Sequence, residues 1–110
     1  MFEIAALVHY YVVVLPTTLY NAPAPLALVD GLRAEIKTAF GVAFGGYTET
    51  VAIGGYVAES GELIEERVYL IEAAYSEPDD ELVERLALQI KADLKQESVM
   101  IRKDREVYFL

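Results

Sequence analysis

The sequence predicts a single α+β domain in which two amphipathic helices cover one face of an antiparallel sheet. Two stretches repeat apolar residues at three- and four-residue spacing, which is typical of such helices. Stretches rich in Val, Ile, Tyr and Thr, bounded by Gly, Pro and Asp, are typical of strands. A chain of 110 residues has the size of one domain, so these elements are expected to share one core.

The first half of the chain is predicted to form a strand and then a helix. The strand runs from Ala6 to Leu15 and ends before Pro16. A breaker-rich connection leads to Pro25, which suits the first turn of a helix because its missing N–H is not needed there. Gly41 is predicted to cap the C-terminus of this helix. The buried stripe of the helix is predicted to consist of Val29, Leu32, Ile36 and Phe40.

Two long strands are predicted next, from Tyr47 to Ala58 and from Leu63 to Tyr75. The breaker cluster Ser76–Asp80 opens helix two, and its acidic residues lie at the positive end of the helix dipole. The apolar stripe of helix two comprises Leu82, Val83, Leu86, Ile90 and Leu94.

A strand is predicted at Ser98–Arg102 and an extra edge strand at Glu106–Leu110. The element order is therefore βαββαβ with one short additional C-terminal strand. Two helices on one face of an antiparallel sheet in this order define a ferredoxin-like sandwich.

Composition and charge limit the kinds of molecule that the chain is expected to bind. The formal net charge is −9, so the chain would repel a phosphate backbone, and no nucleic-acid partner is expected. The apolar stretch Ile4–Leu15 lacks a preceding basic residue and is too short to span a bilayer as a helix, so a cytoplasmic location and no membrane partner are expected. The absence of cysteine removes thiolate chemistry. An acidic surface either serves solubility or favours a cationic or zwitterionic small molecule.

The long strand from Leu63 has two apolar rows. Ile64, Val68 and Leu70 alternate with Tyr69, Ile71 and Ala73. We expect the helices to cover the first row. The second row then forms an exposed apolar face, which is typical of a partner site. This predicts a homo-oligomer, a trimer rather than a dimer.

A two-residue loop at Ser60–Gly61 would pair Tyr56 with Glu65 and Gly55 with Glu66. Glu66 would then lie in the helix-covered row, where an unpaired carboxylate is costly and therefore often functional. The candidate catalytic residues are Tyr56, Glu65 and Glu66, with Arg67 beside them as a ligand-binding residue. A register shift of one residue, or a strand end that exposes Glu66, is the structural alternative.

Two Gly-Gly-Tyr triplets, Gly45–Tyr47 and Gly54–Tyr56, add further ligand-binding candidates. Glycines inside a strand mark either a bulge or a close approach to the backbone, for example by a flat adenine. The candidates are Tyr47, Thr48, Gly54 and Gly55. Neither triplet has dinucleotide-binding or P-loop spacing. His9 is the only histidine, so no metal site is expected.

The element order, the glycine-flanked Tyr56, the strand bearing Glu65-Glu66-Arg67 and the segment Gln96-Glu97-Ser98-Val99 resemble two related groups. One group is the PII-like signalling proteins, which are trimers of ferredoxin-like subunits that bind adenine-containing ligands between subunits. The other is the phage S-adenosylmethionine lyases. In that group a strand Tyr and a following Glu line the pocket, which corresponds to Tyr56 and either Glu65 or Glu66.

The lyase resemblance implies a cofactor-free reaction in which the methionine carboxylate of the substrate attacks its own γ-carbon. The products are methylthioadenosine and homoserine lactone. The PII resemblance implies instead a non-catalytic ligand-binding oligomer, although the short turn at Ser60–Gly61 leaves little room for an effector loop. An acidic interaction protein is the third alternative.

Overall fold

The computed structural model describes residues 9–19 and 22–110. In chain order the elements are β1 (Tyr10–Leu15), β2 (Thr18–Leu19), β3 (Ala22–Pro23), α1 (Leu26–Phe44), β4 (Thr48–Val57), β5 (Leu63–Ala74), α2 (Asp80–Asp93), β6 (Met100–Lys103) and β7 (Glu106–Phe109). The predicted first strand is confirmed from Tyr10 onward, and its residues 6–8 lie outside the described residues. The short pair β2 and β3 replaces part of the predicted irregular connection.

The main sheet has five antiparallel strands in the order β4-β5-β1-β6-β7. Its first four strands have the order of a ferredoxin-like sandwich, as the sequence predicts. The last strand, β7, pairs with β6 of its own chain and forms one edge of the sheet. The other edge is β4. In the described part of the chain, no helix is long and apolar enough to cross a membrane.

The two helices cover the sheet face that carries Tyr11, Val13 and Leu15 of β1. The register of β1 on β5 puts Ala73, Ile71 and Tyr69 opposite these residues. The prediction that Ile64, Val68 and Leu70 form the helix-covered row is therefore wrong. Both rows of β5 are apolar, so alternation alone does not distinguish the core row from the open row. The row on the other face, which we call the open face, consists of Ile64, Val68 and Leu70. Val68 is 7% exposed, and Ile64 and Leu70 are half-buried, so this row does not form the exposed apolar face that the sequence predicts.

The helix α1 continues through Gly41 and ends at Phe44, so the prediction that Gly41 caps it is wrong. Phe44 packs its ring against Tyr11 and Phe40, with ring centroids 5.3 and 5.6 Å apart. These contacts stabilise the extra helical turn. Gly45 then ends the helix in the left-handed conformation, with φ 88°, and its N–H donates to the Gly41 carbonyl.

We expect Gly45→Ala to lower the free energy of unfolding by about 1 kcal/mol, because a side chain at this positive φ is strained. Urea denaturation measures the change. Gly46→Ala is the matched control, since Gly46 has no positive φ and no atom within 4 Å of an added Cβ. Equal losses in the two variants would contradict this account of the helix end.

Beyond the helices, β4 and β5 continue as a two-stranded hairpin, which we call the arm (residues 51–69). The arm makes the molecule elongated, with a longest dimension of 54 Å. Along its helix side, the apolar side chains of Val51, Ile53, Val57 and Leu63 are each more than half exposed. A two-stranded hairpin with so much apolar surface is marginal in water by itself.

The base of the arm is anchored by Glu49, whose side chain is 16% exposed. Its carboxylate accepts hydrogen bonds from Arg33 Nε at 3.0 Å and Nη2 at 2.8 Å, and lies 2.9 Å from Lys37 Nζ. The Arg33 guanidinium also lies 4.0 Å above the Tyr69 ring. The Arg33 hydrogen bonds, assisted by Lys37, lower the pKa of Glu49 to about 2 against the opposing effect of burial.

Glu49→Gln should lower the free energy of unfolding at pH 7 by about 2 kcal/mol, because the Arg33 guanidinium loses its least exposed carboxylate partner and keeps only the exposed Asp30. The folded-state pKa of Glu49 is depressed. The contribution of Glu49 to the free energy of unfolding is therefore complete above about pH 5 and is lost as the pH falls toward 2. Urea denaturation between pH 7 and pH 2.5 should therefore show the gap between wild type and variant closing. The control is Glu62→Gln in the exposed turn. A gap that stays constant with pH would contradict the ion pair.

Candidate functional site

The register of the arm differs by one residue from the predicted one. Val57 pairs with Leu63, and Tyr56 pairs with Ile64 rather than with Glu65. The turn is longer than the predicted two-residue loop. The Ala58 N–H donates to the Glu62 carbonyl, and the Gly61 N–H donates to the Ala58 carbonyl, with Gly61 at φ 85°. This extra turn residue shifts every pair along the arm and separates Tyr56 from Glu65.

The observed register brings Tyr56 and Glu66 together on the open face of the sheet. Glu66 lies opposite Gly54, and Tyr56 lies opposite Ile64. Tyr56 and Glu66 are therefore diagonal neighbours, at a separation that an aromatic ring and a long carboxylate side chain can bridge.

The Glu66 carboxylate is held by the segment that follows β1. The Thr17 backbone N–H donates to Glu66 Oε2 at 3.2 Å, and the Thr17 hydroxyl donates to the Arg67 carbonyl at 2.6 Å. The second carboxylate oxygen of Glu66 has no hydrogen-bond partner among the described residues. Glu66 is half-buried, and the hydrogen bond from Thr17 holds its carboxylate in position.

Thr17 is the neighbour of Glu66 that the sequence did not reveal. It lies 49 residues from Glu66 along the chain. The two residues meet because the chain, after leaving β1, passes beside Glu66 and Arg67 of β5. No composition or spacing signal marks such a contact.

The structure places the other predicted residues away from this pair. Glu65, Gly55 and Arg67 belong to the opposite face of the arm, because successive side chains of a strand alternate. Thr48 shares the open face with Tyr56 but lies eight residues earlier in β4, about 27 Å away. Tyr47 precedes β4 and lies under Lys37, whose Nζ is 5.6 Å from its ring centroid. One chain alone therefore joins only Tyr56, Gly54 and Glu66 of the predicted set.

The glycines of β4 form no bulge, since the pairing runs without interruption from Thr48 to Val57. A Cβ on Gly54 would meet Val68 Cγ1 at 3.1 Å, which is a tight contact. A Cβ on Gly55 would make only ordinary contacts. The absence of a side chain at Gly54 therefore makes room for the Val68 side chain, which packs against it.

On the open face beside Gly54, Val68 is 7% exposed and Tyr56 is 42% exposed. Two hollows lie elsewhere. A groove of about 560 Å³ runs between α1 and α2, and one of about 330 Å³ lies beside His9 and Asp104. Neither contains a residue of the predicted site.

The end of the sheet near His9 has a hydrogen-bond network that serves the fold. The Tyr11 hydroxyl donates to Asp80 Oδ1 at 2.5 Å and accepts from the Asp79 N–H at 2.9 Å. Asp80 also lies 3.0 Å from Lys103 Nζ. Burial, and then the hydrogen bond to Asp80, raise the pKa of Tyr11 well above its usual range. Tyr11 therefore stays neutral, and its hydrogen bonds connect β1 to the start of α2.

Comparison with solved structures gives two matches that cover the whole chain. They are a phage SAM lyase in complex with S-methyl-5'-thioadenosine and a phage SAM lyase in its apo state. Each has a TM-score of 0.71 and covers 100% of this chain and 94% of the lyase chain, with 18% and 17% sequence identity. No protein-family model and no curated protein matches the sequence. The predicted resemblance to phage SAM lyases is confirmed as a likeness of fold.

Proposed function

We propose that this protein is an S-adenosylmethionine lyase whose substrate binds on the open face of the arm, in a cleft between copies of the chain. The observation that carries the proposal is the diagonal pair of Tyr56 and Glu66 beside Gly54. The whole-chain likeness to a lyase solved with S-methyl-5'-thioadenosine supports it. The products are methylthioadenosine and homoserine lactone.

The reaction is an intramolecular displacement. A carboxylate oxygen of the methionine moiety forms a bond to its own γ-carbon. The bond between that carbon and the sulfonium sulfur breaks, and its electron pair neutralises the sulfur. No proton and no external nucleophile are consumed. The protein's task is to hold the methionine chain folded, with the oxygen, the carbon and the sulfur aligned.

Glu66 and Tyr56 have distinct roles in this proposal. The fixed Glu66 carboxylate binds the cationic part of the substrate, and the Tyr56 ring and hydroxyl contact the sulfonium or the adenine. Because six glutamates and one arginine lie between residues 48 and 74, the field of the hairpin attracts a cation.

The opposing wall of the cleft comes from a second copy in this proposal. A second copy packed over Tyr56 and Glu66 would exclude water, and a dry site strengthens the electrostatic contacts to the substrate. Thr48, Tyr47, Glu65 or Arg67 would belong to the same cleft only through a neighbouring copy. The predicted homo-oligomer thus becomes part of the proposed function.

Incubation with S-adenosylmethionine, followed by chromatography, tests the proposal. We expect methylthioadenosine and homoserine lactone to form in equal amounts. Saturating methylthioadenosine should also raise the melting temperature, because a ligand that prefers the native state stabilises it. Stabilisation without product formation would favour the non-catalytic ligand-binding alternative. If methylthioadenosine gave no stabilisation and no product formed, both the lyase reaction and the non-catalytic ligand-binding alternative would be excluded.

Water labelled with ¹⁸O distinguishes this reaction from hydrolysis. In the proposed displacement the oxygen that attacks the γ-carbon comes from the substrate, so the lactone forms without label. Direct attack by water would place ¹⁸O in the hydroxyl group of homoserine. Mass spectrometry of the early products reads the difference, and labelled hydroxyl would contradict the lyase route.

A further inference from the structure

The segment that follows β1 continues along β5 after the backbone ladder between the two strands has ended. The last pair of that ladder is Leu15 with Tyr69. Pro16 comes next and has no N–H to donate. Two residues beyond Leu15, the same register places Thr17 beside Arg67, and the Thr17 hydroxyl donates to the Arg67 carbonyl at 2.6 Å. A side-chain hydrogen bond therefore attaches this segment to the arm.

Thr17 uses a second donor on the neighbouring residue of β5. Its backbone N–H donates to Glu66 Oε2 at 3.2 Å. Hydrogen bonds to a charged acceptor are stronger than neutral ones, so this contact favours one orientation of the carboxylate. Because the hydroxyl fixes Thr17 against the Arg67 backbone, it also sets the place of the N–H relative to Glu66. The two donors of Thr17 therefore act together.

Thr17 is itself held by the helical layer of the domain. The Thr17 carbonyl accepts a hydrogen bond from the Ala24 N–H at 2.9 Å, just before α1 begins. The carbonyl of the next residue, Thr18, accepts from Gln96 Nε2 at 2.8 Å, just after α2 ends. The segment is thus bonded to residues beside both helices. Through it, a carboxylate of the arm is tied to the body of the domain.

From these contacts we infer that Thr17 is a positioning residue for the proposed reaction, which acts on the substrate through Glu66. The inference rests on the role that the proposed function gives to Glu66. A glutamate side chain without this bond would occupy several rotamers, and ordering it in each turnover would cost entropy. It would still attract the cationic substrate, but it would hold the substrate aligned for a smaller part of the time. Loss of the Thr17 contact should therefore lower kcat more than it raises KM.

Thr17→Val removes the hydroxyl while keeping the shape of the side chain and its preference for an extended backbone. The Arg67 carbonyl that loses its donor belongs to an exposed residue, so water can replace the bond and the chain should fold. We expect kcat to fall about tenfold with KM within about twofold of wild type, since small misplacements of reacting groups are costly. Thr17→Ser keeps the hydroxyl and should retain the wild-type kcat. An unchanged kcat in Thr17→Val, or an equal loss in Thr17→Ser, would overturn the inference.

The chain offers a matched control in the next residue. The Thr18 hydroxyl makes no hydrogen bond among the described residues, so Thr18→Val should keep the wild-type kcat. A second comparison asks whether Thr17 acts through Glu66. Added to Glu66→Ala, Thr17→Val should change the residual rate by less than about twofold, because the group that it positions is already absent. A further tenfold loss would show another route and overturn the inference.

Nuclear magnetic resonance reads the contact without turnover. Loss of a charged acceptor weakens the deshielding of an amide proton, so the Thr17 amide proton should move upfield in Glu66→Ala. Glu65→Ala is the control and should leave that resonance in place, because Glu65 lies on the other face of the arm. A Thr17 amide that does not respond to Glu66→Ala would overturn the inference. Absence of methylthioadenosine from the wild-type chain would instead count against the lyase reaction, since the amide is read in the free protein.

Discussion

Glu66→Gln should reduce kcat/KM for S-adenosylmethionine by about 100-fold, because loss of a positioned charged partner costs roughly 2–5 kcal/mol and each 1.4 kcal/mol is tenfold. The Thr17 N–H can still donate to the amide oxygen of the variant, so the fold should persist. The rate of methylthioadenosine formation measures the effect. A normal melting temperature in the variant would confirm that activity, rather than stability, has been lost.

Glu65→Gln is the matched control for this prediction. The two glutamates are adjacent and chemically identical, but they lie on opposite faces of the arm. Glu65→Gln should leave the rate within about twofold of wild type, because surface substitutions away from a site have small effects. A large loss with Glu65→Gln and none with Glu66→Gln would mean that the substrate binds on the other face.

Phe40→Ala should lower the free energy of unfolding by about 3–5 kcal/mol, because it leaves a cavity in the centre of the core. Phe40 is 0% exposed and packs edge-on against Phe44. Domains of this size are stable by only about 5–15 kcal/mol, so the variant should be largely destabilised at 37 °C. Urea denaturation at a fixed protein concentration measures the change.

The control for the core prediction lies two residues further along the same helix. Val42 is 85% exposed, and Val42→Ala should change the free energy of unfolding by less than about 0.5 kcal/mol. Similar losses for the two substitutions would contradict the orientation of α1 on the sheet. Such similar losses would indicate that the outer face of α1, which carries Val42, is buried.

The fold was predictable because periodicity and breakers agree along the chain. The stripe from Val29 to Phe40 and the strand ending at Leu15 both lie in the core as predicted. The end of α1 was not predictable, because Gly41 has the composition of a cap while Phe44 gains contacts with a residue of β1. Tertiary packing decided a boundary that local sequence left open.

The residue types of the candidate site could be proposed from the sequence, but the register that arranges them could not. Tyr56 and Glu66 could be proposed from their chemistry and from the glycines beside them. One additional turn residue near Gly61 changed every partner along the arm, because side chains alternate with a period of two. Turn length therefore decided which of two adjacent glutamates shares a face with Tyr56. The hydrogen bond from Thr17 depends on a contact that local sequence does not encode.

The proposed function requires the ligand to lie on the open face of the arm, against Tyr56 and Glu66. Titration of ¹⁵N-labelled protein with methylthioadenosine tests it most directly, because amide shifts locate the bound molecule residue by residue. We expect the largest changes at Gly54, Tyr56 and Glu66. Changes confined to the groove between α1 and α2 or to the hollow beside His9, or no changes at all, would contradict it.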